Sequence, residues 1–134
     1  MDYLLINIIL NSILVGVILL TQFVSYPLFK KINHDFEHFH ADYTNRMGYL
    51  VAPIMILELI IVTLILFNNP SNNIILIITV VTILIWASTF FIQVPIHKKI
   101  GYKKDIRKIN KLIKSNLLRT ILWSMKLYFS ILLI

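Results

Sequence analysis

The chain has 134 residues, of which 58% are hydrophobic and only 14% charged, with a net charge of +7. A soluble domain carries about 25% charged residues, so this composition excludes an ordinary water-soluble fold and points to the bilayer. There is no cysteine, which excludes disulfides, thiolate nucleophiles and cysteine-ligated metals.

Four apolar runs follow in chain order, at about residues 3–29, 47–67, 74–96 and 115–134. Each approaches the roughly 20 residues that a helix needs to span a bilayer. None alternates as a strand would, and lipid offers the backbone no outside partner, so all four are predicted to be helices in spite of their Ile and Val content. The first run has no basic leader and no small-residue cleavage site after it, and reads as a retained helix. Between the first two runs lies "NHDFEHFHADYTNR". Asn33 suits a helix cap, with Asp35 and Glu37 in the first turn. Phe36, Phe39, His40 and Tyr43 then recur at helical spacing. The expectation is a short amphipathic helix at about 34–45, on the membrane surface or continuous with helix 2. His34 and His38 fall on its other face with Asp42; two such ligands suit zinc only with a third, and a solvated face is the plainer reading. The expected fold is all-α: one four-transmembrane-helix bundle, with helices at about 3–29, 44–67, 74–97 and 110–134.

The basic residues set the expected topology. Lys30, Lys31 and Arg46 lie between helices 1 and 2, and Lys98, Lys99, Lys103, Lys104, Arg107, Lys108, Lys111 and Lys114 lie between helices 3 and 4. The "NNPSNN" connection between helices 2 and 3 has none. Both basic segments are therefore expected in the cytoplasm and both termini outside, in a bacterial inner membrane. Residues 98–114 read as an anionic-lipid contact rather than a nucleic-acid site.

Two phrases echo each other, "TQFVSYPLFKKI" from Thr21 and "FIQVPIHKKI" from Phe91. Each places a glutamine ahead of a proline and Lys-Lys-Ile. Aligned on Gln22 and Gln93, the match is gapped. Asn45-Arg46 and Asn116 with Arg119 echo each other at the openings of helices 2 and 4. The chain thus reads as two tandem hairpins related by a pseudo-two-fold axis along the membrane normal, as in parallel-repeat transporters. The alternative is shared boundary chemistry, since Pro and Lys are common where a helix leaves lipid.

Polar residues line one face of each helix. Helix 1 offers Asn7, Asn11, Gln22 and Tyr26; helix 3 offers Thr79, Thr82, Trp86, Thr89, Gln93 and His97; helix 4 offers Asn116, Arg119, Trp123 and Lys126. Helix 2 carries Arg46, Pro53 and Glu58. Asn11, Thr79, Thr82 and Ser88 read as helix–helix glue. Ionisable groups inside a span are functional candidates by default. Arg119 lies near enough to the boundary to snorkel; Glu58 and Lys126 do not. Each of the latter lies 12 residues beyond a basic boundary position, Arg46 or Lys114, about 18 Å along a helix, and they are expected to form a buried ion pair. The candidate catalytic groups are Glu58, His40, His97 and Arg119. The candidate cofactor site adds Gln22, Tyr26, Gln93, Arg46, Asn116 and Trp123 around the two histidines. Imidazoles there suit a haem or metal, a proton relay, or a hydrogen bond to a helix end. Arg46 and Arg119 suit a phosphate or carboxylate.

Most of the chain resembles a family of small four-helix bacterial membrane proteins. The resemblance rests on "Q…YPLF" from Gln22 to Phe29, "FHADYTNR" ending at Arg46, the stretch from Pro53 to Leu59, "IWAST…QVPIH" from Ile85 to His97, and "NLLRTILWSMK" from Asn116 to Lys126. In that family the last motif reads Asn-Trp-x-Arg-Thr with a basic residue where Lys126 stands; Leu117 departs from it. This resemblance implies the fold and brings no activity. A looser similarity, on the proline-containing exit from helix 1 and the proline-bearing helix 2, is to HemJ-type haem-associated membrane proteins. It implies haem as a cofactor but matches no ligand residue by residue. Three functions follow. A redox-type membrane enzyme with a haem or metal requires His40, His97, Arg46, Arg119 and Glu58 to converge on one cavity. A small-molecule carrier requires a path past Glu58 and Lys126, and a homo-oligomer. A structural subunit requires only that the stripes satisfy one another.

Overall fold

The computed structural model describes residues 2–134. Four helices make an all-α bundle, with no strand among the described residues: α1 (Tyr3–Phe29), α2 (Phe36–Asn68), α3 (Asn73–Tyr102) and α4 (Ile106–Ile131). Short connections make chain neighbours antiparallel. α1 and α3 each pack against α2 and α4, so α1 faces α3, and α2 faces α4, across the bundle's diagonals.

α1, α2 and α3 are long and apolar enough to cross a membrane. Their outer faces carry residues such as Ile9, Leu20, Ile60, Leu64, Val80 and Leu84, all exposed, as the walls of a membrane protein are. α4 is long enough, yet too polar in composition to stand with the other three. The reason is visible in its packing. Asn116, Arg119, Thr120, Lys126 and Ser130 turn inward and are buried, while Leu117, Leu118, Ile121, Met125 and Tyr128 face outward. Arg107, Lys111 and Lys114 leave its first turns basic and exposed; from Asn116 onward its polar residues, apart from Ser124, line the inside of the bundle, and its outer face is mostly apolar.

Side chains cap three helix starts. The carboxylate of Asp2 accepts from the amides of Leu4 and Leu5, Asn72 accepts from Ile74 and Ile75, and Asp105 accepts from Arg107 and Lys108, relieving amides that have no partner within the helix. α2 begins differently from expectation. Asn33 does not cap it. Asp35 instead takes the left-handed conformation (φ 51°) with no side-chain cap, one that Asp tolerates better than most residues. The chain turns there, and Phe36 goes inside, 2% exposed. The amphipathic helix expected at 34–45 is not a separate element: it forms the first turns of an unbroken 33-residue α2. Gly48 and Pro53 lie within it without ending it. α3 also runs past 97 to Tyr102, and α4 occupies 106–131 rather than 110–134.

Within residues 98–114, Lys104 also bonds inside the chain. Its ammonium donates to the carbonyls of Lys30 and Ile32 and to the side chain of Asn33, and stands 5.5 Å from the Phe36 ring centroid. It satisfies carbonyls where α1 ends and clasps the two basic connections together.

The echo between α1 and α3 proves ungapped. Each helix contains one five-residue π-helical segment, Thr21–Ser25 and Thr89–Gln93, starting 68 residues apart. In each, the threonine hydroxyl bonds the carbonyl four residues back, Val17 or Ile85. In each, the amide just after the segment reaches five residues back to that threonine's carbonyl. Each segment precedes a proline by one residue, Pro27 or Pro95. The ring of a proline clashes with the carbonyl four residues before it and supplies no N–H, and the π segment rearranges the ladder at that point. At the same offset the sequences read Thr, Pro, Lys-Lys-Ile, so the glutamines are not the equivalent positions.

Glu58 and Lys126 are also 68 residues apart, and Lys126 Nζ donates to Glu58 Oε1 across the α2–α4 diagonal. Equivalent positions touch each other only near a two-fold axis, so a two-fold relating the halves at this offset would pass through the ion pair. Both side chains are fully buried. The ammonium also stands 5.1 Å from the Trp123 ring centroid. One turn further, Asn7 Nδ2 donates to Ser130 Oγ at 2.9 Å, and Asn11 Nδ2 reaches both Asn7 and Ser130. The threonines act otherwise than as interhelical glue: Thr79 and Thr82 bond carbonyls of their own helix, a local pairing open to hydroxyl side chains.

Breaking a buried pair strands the remaining charge, at a cost of about 3–5 kcal/mol, whereas replacing both partners by apolar residues is near neutral. Glu58→Gln should therefore lower the unfolding midpoint in detergent sharply, and Glu58→Leu combined with Lys126→Met should restore most of it. Lys104→Met should cost about 1–3 kcal/mol through the lost charged hydrogen bonds, while the neighbouring Lys103→Met should leave the midpoint unchanged.

Candidate functional site

The end of the bundle that carries the basic connections is hollow. A chamber of about 660 Å³ lies among α1, α2 and α3, and α4 contributes Arg119 and Trp123 to its wall. Most of the lining is apolar, including Leu14, Ile18, Val51, Met55 and Phe90. A few polar groups converge on it, the usual composition of a ligand site.

On one wall the three helices that surround the chamber meet in a hydrogen-bonded chain. Tyr26, in the last turns of α1, places its Oη 2.9 Å from His97 Nε2 on α3. His97 Nδ1 lies 2.9 Å from Nε2 of His40, in the second turn of α2. Packing fixes these rings. Phe36 stacks on His40, and Phe29 meets it edge-on, both with centroids 5.6 Å away. Gly101 matters here for space: a Cβ on it would stand 3.4 Å from His40 Nδ1.

α4 supplies the opposite group. Arg119 is 9% exposed and turns into the bundle instead of snorkelling to the surface. Its Nη1 donates to Asn116 Oδ1 at 3.2 Å, and Asn116 Nδ2 donates to Gln22 Oε1 at 2.9 Å. Gln22 and Asn116 thus stand behind the arginine and orient it. Arg119 Nε has no partner. Gln93 donates to Ser115 Oγ at 2.8 Å and leaves its carbonyl oxygen unpaired; the Trp86 indole N–H is also unpaired.

Charge around this wall is unbalanced. The chain has six acidic residues, and Glu58 is the one that is buried. Lys126 takes it. Arg119 is then a buried cation with no carboxylate against it, a costly arrangement for a group withdrawn from water.

The expected cluster thus assembles in part. Tyr26, His40, Gln93, His97, Arg119 and Trp123 line one chamber. Four residues do not line it: Gln22 and Asn116 stand behind Arg119, and Arg46 and Glu58 lie elsewhere. Arg46 points outward, its side chain 79% exposed and held by Asp42 one turn back on its own helix. Glu58 is consumed by Lys126. His34 and His38 are exposed. Sequence reasoning missed the α2 wall, where Ala41, Gly48 and Ala52 contribute the small residues that keep the chamber open. Their spacing of seven and four places them on one helical face, the signal by which they are recognisable. Metal ligation suits this arrangement poorly: both nitrogens of His97 are engaged, and no group of three His, Cys, Asp or Glu is clustered among the described residues.

No family model, curated protein or solved structure matches the chain. In protein labelled with ¹⁵N in its histidine rings, Tyr26→Phe should shift the Nε2 resonance of one histidine, His97, and leave those of the exposed His34 and His38 in place.

Proposed function

We propose that the chain is a four-pass membrane protein of the bacterial inner membrane that binds a small organic molecule in the chamber and exchanges a proton with it, an enzyme site narrower than the five-residue convergence expected of a redox-type enzyme, since Arg46 and Glu58 stand outside it. The basic connections face the cytoplasm and the termini the other side, following the distribution of Lys and Arg. α4 completes the four spans, since its polar stripe is turned inward. The other cationic side chains between α3 and α4 suit anionic headgroups.

The observation that carries this reading is the Tyr26–His97–His40 chain on the chamber wall. A ligand hydroxyl gives its proton to Tyr26 Oη as the phenol proton passes to His97 Nε2. His97 Nδ1–H passes to His40 Nε2, and the proton on His40 Nδ1 leaves at the Gly101 end. The reverse sequence delivers a proton to the ligand. A neutral imidazole carries one donor and one acceptor nitrogen, so two in series conduct in either direction. An organic ligand is favoured over a histidine-held metal or haem, because ligation by His97 requires it to give up Tyr26 or His40, which leaves His40 Nδ1 as the one unengaged imidazole nitrogen of the pair. A carrier is the second reading. It is favoured by the polar groups that continue away from the chamber along the axis: Glu58 with Lys126, then Asn7, Asn11 and Ser130.

Protein purified in mild detergent should yield one organic molecule in near-stoichiometric amount on solvent extraction and mass spectrometry. Ala52→Trp, which fills the chamber from its wall, should lower that yield at least tenfold while the helical circular dichroism is kept. Equal extracts from the two proteins would count against the chamber as a binding site. The absence of cysteine permits a clean topology test: Ser71→Cys should react with an impermeant maleimide outside intact cells, and Lys103→Cys only after the membrane is permeabilised.

A further inference from the structure

We infer that the chamber takes an amphipathic monoanion, its carboxylate or single phosphate head on Arg119 and its apolar body along the chamber, entering sideways from the bilayer between α2 and α3. This rests on the chamber's being a binding site, as proposed above, and adds the class of ligand and its route.

Three observations carry it. Arg119 is nine-tenths buried, makes one hydrogen bond, and leaves Nε without a partner on the chamber wall. The buried acid that could neutralise it, Glu58, is taken by Lys126, so the interior holds one positive charge in excess. A guanidinium offers five donors in a fork that matches a carboxylate or phosphate. One anion would satisfy both the charge and the orphaned donors. The rest of the wall is mostly hydrocarbon and aromatic ring, which a small inorganic anion would leave unfilled. A volume of about 660 Å³ lies within the range of sites for medium-sized organic ligands.

The route is read from exposure. On α2, Gly48 and Ala52 line the chamber and are exposed, and Ile56 does so at 50% exposure. Facing them on α3, Phe90 and Val94 line it at 55% and 36% exposure. A wall that is both lining and exposed is an opening, and this one lies along the lipid-facing sides of two spans. A ligand with an apolar body reaches it from the membrane without crossing water.

The chain supplies its own reporters. It contains two tryptophans, and both Trp86 and Trp123 line the chamber. The test is quenching of their fluorescence in phosphatidylcholine vesicles by three chain-brominated probes: an octadecanoic acid, an octadecyl monophosphate and an octadecanol. At least one of the anionic probes should quench saturably, and the comparison of acid with phosphate assigns the head group. The alcohol should give only the shallow, unsaturable quenching of a probe dissolved in the bilayer. Arg119→Gln should weaken the saturable phase at least tenfold, and Arg119→Lys should keep it within about threefold. If Arg119→Gln fails to fold, the comparison of acid and phosphate with alcohol on the unaltered protein decides alone. Saturable quenching by the alcohol as tight as by the anions would overturn the anionic assignment and leave the chamber a binding site. No saturable quenching by any probe would overturn both.

Discussion

The structure depends on one constraint: α4 carries polar and charged groups along its whole length, and the bilayer offers them no partner. Ser115, Asn116, Arg119, Lys126 and Ser130 must be satisfied from inside the bundle. Each of the other helices supplies part of the answer. α1 gives Gln22 to Asn116, and Asn7 and Asn11 to Ser130. α2 reaches across the diagonal with Glu58 to meet Lys126, and α3 gives Gln93 to Ser115. The resulting column of polar contacts fixes how far each helix is rotated about its own axis, since a rotated helix would present its polar group to lipid. Arg119 is the exception. Its orientation is fixed by Asn116, and its charge is left open.

This division explains why the two ends of the bundle differ. Around Glu58 and Lys126 the interior is closed, and both side chains are fully buried. Toward the basic connections, two π segments and the prolines after them reshape α1 and α3, while Gly48, Ala52 and Gly101 thin the α2–α3 side. Space opens there, and the groups around it are those with chemical capacity: a phenol, two imidazoles and a guanidinium. The same repeated feature in α1 and α3 therefore bounds the chamber. The halves are not symmetric in what they place there, because Tyr26 is matched by Val94 and Phe29 by His97 at the common offset.

Much of the architecture is legible in the sequence, because the signals behind it are strong. Four apolar runs, inward stripes at helical spacing and the clustering of Lys and Arg define four helices, and equal depth from the basic boundary brings Glu58 to Lys126. Local geometry is less legible. Hydropathy carries no sign of a π segment, so a repeat aligned on its glutamines looks gapped when the threonines and prolines hold its register. The start of α2 turns on one left-handed aspartate, which composition does not reveal. Arg46 and Arg119 look alike as basic residues opening a helix. What separates them is a partner: Asp42 stands one turn from Arg46 and holds it outside, whereas Arg119 has only Asn116. The chamber itself comes from residues that are small, and absent side chains leave a faint mark on a sequence.

The central claim is that the interior charge on Arg119 is completed by a bound anion. The most direct measurement is a high-resolution structure of the protein in lipid nanodiscs prepared without added ligand. Elongated density is expected in the chamber, with its head against the Arg119 guanidinium and its body running toward the opening between α2 and α3. A chamber holding only water, or one collapsed with Arg119 turned out toward the headgroups, would contradict it.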